Sequence, residues 1–122
     1  MAYLKSYKEL IVWQKSMDLV NEIYLLTSKF PKEEIYGIIS QMRRAAVSIP
    51  SLVAEGYGRK SKNEYRQFYS IAYGSALELE TQTLIAKSLK FARTEDFLKV
   101  DSLLDEVLRM LNSMLFKFST RR

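Results

Sequence analysis

The chain has 122 residues, a formal charge of +5 and a pI near 9.4, with 48% apolar and 27% charged residues, which is the make-up of one modestly basic globular domain. It contains neither cysteine nor histidine, which excludes disulfides, thiolate and imidazole metal sites, and nucleophilic catalysis of the Ser-His or Cys type. No apolar run reaches the roughly 18 residues of a membrane span, and the start Met1-Ala2-Tyr3-Leu4-Lys5 lacks the apolar stretch of a signal peptide, so no membrane contact and a cytoplasmic address are expected.

A first helix is predicted over about 7–28. Apolar residues recur at Leu10, Trp13, Met17, Val20 and Tyr24, with a second row at Val12, Leu19, Ile23 and Leu26, so the buried face is wide enough to touch two neighbours. Phe30-Pro31 stops this helix, because a residue before proline is pushed away from helical angles.

A second helix is predicted over about 33–57, and the chain is organised around it. Glu33 and Glu34 suit its positive end. Ile35, Ile39, Met42, Ala46, Ile49, Val53 and Gly56 follow in steps of four and three, the seam of a helix facing a core. Gln41, Arg44, Ser48, Ser51 and Glu55 form a polar stripe on another face, open to use as a wet surface, a buried network or a binding face. Pro50 removes an amide donor in mid-helix, so a kink is expected there, and Gly56 and Gly58 are expected to end the helix.

Ser61 with Glu64 three residues on is a capping-box pattern that starts a third helix, about 62–89. Tyr65, Phe68, Ala72, Ala76 and Leu79 form one row, and Tyr69, Tyr73 and Leu77 another. Gly74-Ser75-Ala76 predicts close approach of another helix. Thr94 is expected to cap a fourth helix, about 95–118, with Glu95 and Asp96 in its first turn. Phe97, Val100, Leu104, Val107, Leu111, Met114 and Phe118 give that helix the clearest periodicity in the chain, widened by Leu103, Leu108 and Leu115. With short connections and no period of two, the expected fold is all-α, an antiparallel up-down-up-down four-helix bundle forming a single domain over 1–122, with frayed ends before Tyr7 and after Phe118.

The inventory for catalysis is thin. A di-iron bundle site draws on Glu-x-x-His pairs, which this chain cannot supply. Glu55, Glu64, Glu78 and Glu80 are the carboxylates available to a hard cation, but they read more simply as a cap and as partners of arginines such as Arg44. The expectation is a non-enzyme without cofactor or metal.

The positive charge is partly clustered: Arg43 and Arg44 in helix two, then Arg59, Lys60, Lys62 and Arg66 around the turn into helix three, with Tyr57, Tyr65 and Tyr69 nearby. Cations can neutralise phosphates and aromatic rings can stack on bases, although a solvated turn has the same composition. Adjacent helical residues point about 100° apart, so Arg44, on the polar stripe, is expected in an ion pair and Arg43 is expected to be free for a ligand. The nucleic-acid set is therefore Arg43, Arg59, Lys60, Lys62 and Arg66, with Arg121 and Arg122 adding charge but no specificity.

Several stretches together resemble one known family. They are Leu10-Ile-Val-Trp-Gln14, Phe30-Pro31 with Glu34 and Tyr36-Gly37, Gln41-Met-Arg-Arg-Ala-Ala-Val-Ser-Ile-Pro-Ser51, Ala54-Glu-Gly56, Gly58-Arg59, Ile71-Ala72, and Gly74-Ser75 with Glu78-Leu-Glu-Thr-Gln82. The chain is similar over nearly its whole length to the intervening-sequence proteins of 23S ribosomal RNA, often named four-helix bundle proteins. Two positions depart from that pattern: Leu52 stands where asparagine is usual, and Lys90 where a glycine usually precedes the aromatic. The resemblance implies a left-handed bundle, a homopentamer with a central channel, and members encoded within insertions in ribosomal RNA genes. It also implies a fold shared with the accessory variability protein of diversity-generating retroelements, which binds RNA and a reverse transcriptase through basic surface. Five copies of a chain of charge +5 carry +25, enough to turn modest patches into a basic ring. RNA association is the function this implies; an oligomeric scaffold for another protein is the alternative.

Overall fold

A computed structural model describes residues 6–116. Four helices account for most of this span: α1 (Ile11–Thr27), α2 (Ile38–Tyr57), α3 (Lys62–Ser88) and α4 (Leu98–Phe116). Among the described residues there is no strand. Each helix packs on two others, α1 and α3 each lying between α2 and α4. The fold is an all-α four-helix bundle, and its cross-helix contacts are compatible with the up-down order. Lys29 reaches Asp96 at 2.9 Å while Lys15 reaches Glu106 at 3.4 Å. Lys87 reaches Asp101 at 2.6 Å while Arg66 reaches the Leu115 carbonyl at 2.8 Å, so rising numbers on one helix meet falling numbers on α4.

The predicted seams form the core, with instructive exceptions. On α1 the second row, Val12, Leu19, Ile23 and Leu26, is buried, whereas Met17 and Tyr24 of the first row are exposed and face outward. On α2, Ile39, Met42, Ala46, Ile49 and Val53 are all sealed from solvent; Ile35 is exposed, because the chain preceding α2 is not helical there. On α4 every seam residue from Phe97 to Leu111 is buried, Met114 is half-buried, and Phe118 lies outside the described residues. Each fully buried Leu, Ile, Val or Met contributes about 1.5–3 kcal/mol relative to exposure, so this seam-to-seam contact is the principal source of stability.

The helix starts need correction. The segment expected to open helix one is instead a short 3-10 turn at Tyr7–Glu9, broken at Leu10, whose extended angles end it before α1 begins. Lys32–Glu34 likewise forms a separate 3-10 turn, and α2 begins only after Gly37. Glu33 and Glu34 therefore do not sit on the end of α2. Thr94 is not the cap of the fourth segment: the cap position is Arg93, whose amide donates to the Asp96 carboxylate at 3.0 Å, and the 3-10 turn Thr94–Phe97 leads into α4. Ser61 does cap α3, its hydroxyl accepting from the Glu64 amide at 3.2 Å.

One glycine does not have the role expected of it. Gly74 has nothing within 4 Å of where a Cβ would be, so no close approach inside the protomer requires it. Gly56 is the true contact: a Cβ there would meet Tyr69 Cε1 at 2.7 Å and Phe68 Cβ at 3.0 Å, so α2 and α3 touch through it. Gly58 caps α2 at an ordinary φ of −78°. Across Pro50, which is buried, α2 remains one continuous helix. At the other end of α3, Lys90 adopts a left-handed φ of 57°. The Phe91 amide bonds the Ala86 carbonyl and the Lys90 amide bonds the Lys87 carbonyl, both at 3.0 Å, the pair of bonds of a Schellman stop. Phe91 then packs on Phe30 with ring centroids 5.6 Å apart.

Candidate nucleic-acid interface

The five predicted cations do not form one patch. Arg43 and Arg59 both belong to the α2 region, but they are 16 positions apart, about 24 Å at the helical rise. Arg43 is also committed within the protomer. Its Nε donates to Thr27 Oγ1 at 2.9 Å, and its guanidinium lies 4.5 Å over the Tyr24 ring, tying α2 to α1. Thr27 is buried, so this bond satisfies a hydroxyl closed to water. Arg44 is exposed and makes no ion pair among the described residues. The division of roles expected of this pair is thus reversed. The physical reason is that the bundle turns the Arg43 side of α2 toward α1 and leaves the polar stripe facing outward.

Arg66 is also engaged. Its Nη2 donates to the Leu115 carbonyl on α4 at 2.8 Å, tying α3 to α4. Arg59 and Lys60 are exposed in the α2–α3 turn, and Lys62 is exposed in the first turn of α3. The Arg59 guanidinium rests 4.4 Å over the Phe68 ring, with its Nη2 4.0 Å from Glu55 Oε2, the outer limit of an ion pair. That stacking orients the group and leaves its side chain 42% exposed.

The tyrosines near this turn are mainly structural. Tyr65 and Tyr69 pack with centroids 5.4 Å apart, and Tyr69 is buried, which pushes its phenol above the ordinary range, with Tyr65 and Tyr57 adding to the effect. Tyr57 is the exposed ring of the three.

The opposite end of the bundle carries both paired and unpaired cations, Lys32 and Lys90 being exposed there without an ion pair among the described residues. There Lys29 pairs with Asp96, Lys87 with Asp101, and Arg93 with Glu95. The carboxylates considered for a cation do not converge: Glu55 faces Arg59, Glu64 accepts from the Ser61 hydroxyl at 3.1 Å, and Glu78 accepts from Gln82 at 3.2 Å. Among the described residues no three potential metal ligands gather, and no helix is long and apolar enough to cross a membrane.

One further feature was not predicted. A cleft of about 500 Å³ runs along the outside of α2 and α3, with Arg44, Ser48 and Gln41 on one wall and Ser75 and Glu78 on the other. Beneath Glu78 the Gln82 amide is 6% exposed, and its Oε1 has no partner among the described residues. The polar stripe on α2 was the signal for this cleft, but the facing wall on α3 follows only from helix pairing.

The fold and the side chains described define a small all-α bundle with exposed cations at the α2–α3 turn and no assembled reactive centre among the described residues. The sequence pattern of the 23S rRNA-intervening sequence proteins matches residues 8–113, and the chain belongs to that family. No curated protein matches it. Among solved structures it is similar to a protein of unknown function from the S23 ribosomal protein family of Bacteroides thetaiotaomicron VPI-5482. The TM-score is 0.79 at 19% identity, over 86% of this chain and 98% of that one, a likeness of fold.

Proposed function

We propose that the protein is a non-enzymatic, RNA-associated bundle protein of the cytoplasm that binds structured RNA through the cationic α2–α3 turn, as a homo-oligomer that the family resemblance makes a pentamer. The observation that carries this reading is the exposure of Arg59 and Lys60 on a short turn between two packed helices. Lys62 adds charge beside them. Arg43 and Arg66, already engaged in the protomer, hold the frame rather than the phosphates. Binding of this kind neutralises phosphates and reads little sequence. Repetition around an oligomer multiplies the contacts.

The test is the salt dependence of binding to ribosomal RNA fragments. Log affinity is expected to fall linearly with log salt, and Arg59→Ala with Lys60→Ala to flatten the slope by roughly 0.7–0.9 for each lost contact. An unchanged affinity and slope in the double variant would remove this turn from the interface. The alternative, an oligomeric scaffold for another protein, is favoured by RNA affinity no higher than that of an unrelated basic protein of similar charge.

A further inference from the structure

The cleft between α2 and α3 has no part in RNA binding as described, yet it holds opposite charges that do not neutralise each other. Arg44 lines its α2 wall and Glu78 its α3 wall, both exposed. They stand too far apart to pair, and neither has an ion pair elsewhere among the described residues. The carboxylate is nevertheless held in place. Gln82, 6% exposed, donates from Nε2 to Glu78 Oε2 at 3.2 Å, while its own Oε1 has no partner among the described residues. A buried amide with an unmet acceptor is destabilising, and an apolar side chain at that position would avoid the loss. What the amide does provide is an anchor that orients Glu78.

The direction of the hydrogen bonds along the lining narrows what fits. The Ser40 hydroxyl donates to the Gly37 carbonyl at 3.0 Å and the Ser48 hydroxyl to the Ala45 carbonyl at 2.7 Å. Each proton is thus engaged by the backbone, and these two lining side chains offer a ligand acceptor lone pairs alone. The ionised Glu78 carboxylate is likewise an acceptor, whereas the Arg44 guanidinium is a donor fork and never an acceptor.

We infer that this cleft is a binding site for a small zwitterion of the free α-amino acid class, with its carboxylate on the Arg44 fork and its ammonium on Glu78. An ammonium brings three donors and no acceptor, which suits a carboxylate flanked by serine lone pairs; a carboxylate brings acceptors, which suit the guanidinium. A simple anion would face Glu78 unfavourably, and a simple cation would face Arg44. A ligand with both charges satisfies both walls. The cleft, about 500 Å³, lies within the range of about 300–1,000 Å³ usual for small-molecule sites. The site is separate from Arg59 and Lys60 and does not depend on the RNA reading.

The test screens the standard free L-amino acids by thermal shift on the full chain. The tightest is then titrated calorimetrically beside its methyl ester, which lacks the carboxylate, and its N-acetyl derivative, which lacks the ammonium. Each derivative is expected to bind about tenfold more weakly or worse. Arg44→Gln is expected to abolish the preference over the methyl ester and keep that over the N-acetyl derivative, and Glu78→Gln to do the converse. Both positions are exposed, and Glu78→Gln retains an oxygen to accept from Gln82; far-UV circular dichroism checks that the variants fold. Gln82→Leu, which leaves both charges in place, is expected to weaken discrimination against the N-acetyl derivative alone. Absence of any thermal shift at millimolar amino acid overturns the assignment. So does a derivative that binds as well as the free amino acid, or a preference that Arg44→Gln and Glu78→Gln both leave unchanged.

Discussion

The Cα of Gly56 lies so close to the ring of Tyr69 that a Cβ would stand 2.7 Å from Cε1. Tyr69 is 5% exposed and packs on Tyr65, so its ring has no space into which to retreat. Gly56→Ala gains helix propensity of about 1 kcal/mol but forces apart the two helices that frame the cationic turn. Overpacking of this kind costs about 1–3 kcal/mol, and a net loss of stability is expected in urea unfolding. Gly58→Ala, at an ordinary φ with its nearest contact at 3.6 Å, is expected to change stability by less than about 0.5 kcal/mol.

Arg43 and the Arg59–Lys60 pair are expected to separate cleanly by assay. Arg43→Ala strands the buried Thr27 hydroxyl with only its bonds back to α1 and removes a charge-assisted bond, so it should lower stability by about 1–2 kcal/mol and leave the salt slope of RNA binding unchanged. Arg59→Ala with Lys60→Ala should do the reverse. Chemical denaturation and binding across salt, run on the same preparations, check both halves.

Lys90 occupies a left-handed backbone position that costs an L-residue about 1–2 kcal/mol. Lys90→Gly keeps the two Schellman bonds and relieves that strain, offset by the greater freedom of glycine in the unfolded chain. A gain of about 0.5–1 kcal/mol is expected, read as a higher urea midpoint with an unchanged slope.

Acid sensitivity should concentrate at the start of α4. The Asp96 carboxyl is held below its ordinary range first by the Lys29 ammonium bond, then by the Arg93 amide, and Glu95 is lowered by backbone and Arg93 bonds. A carboxylate whose folded pKa is depressed contributes stability that is fully present above its unfolded pKa and lost as pH falls through the folded one. The loss therefore begins below about pH 4. Asp96→Asn is expected to flatten this acid limb while leaving the curve above pH 6 parallel to wild type, as measured by denaturation at a series of pH values.

Much of the bundle was legible because helical periodicity is a local property: α3 follows directly from Ser61 and Glu64, and the body of α4, though not its start, from the seam that ends at Leu111. The starts of α1 and α2 were not, since Leu10 and Gly37 interrupt apolar rows that run on in sequence without a break. The candidate site was less legible than the fold. Nothing local in Arg43-Arg44 tells which arginine faces α1, and nothing near Arg66 points to Leu115, 49 residues away. That Gly74 has open space beside it is not visible until the rotation of α3 is known. Pairing between helices decides such questions, and it is not written in any one segment.

The strained stop at Lys90 gives the chain a reserve. It lies at the far end of α3 from the cationic turn, about 40 Å along a helix of 27 residues, and energetic effects at such a distance add independently. A glycine introduced there can compensate for destabilising changes near Arg59 and Lys60, so the charge of that turn can be redesigned on a background that still folds.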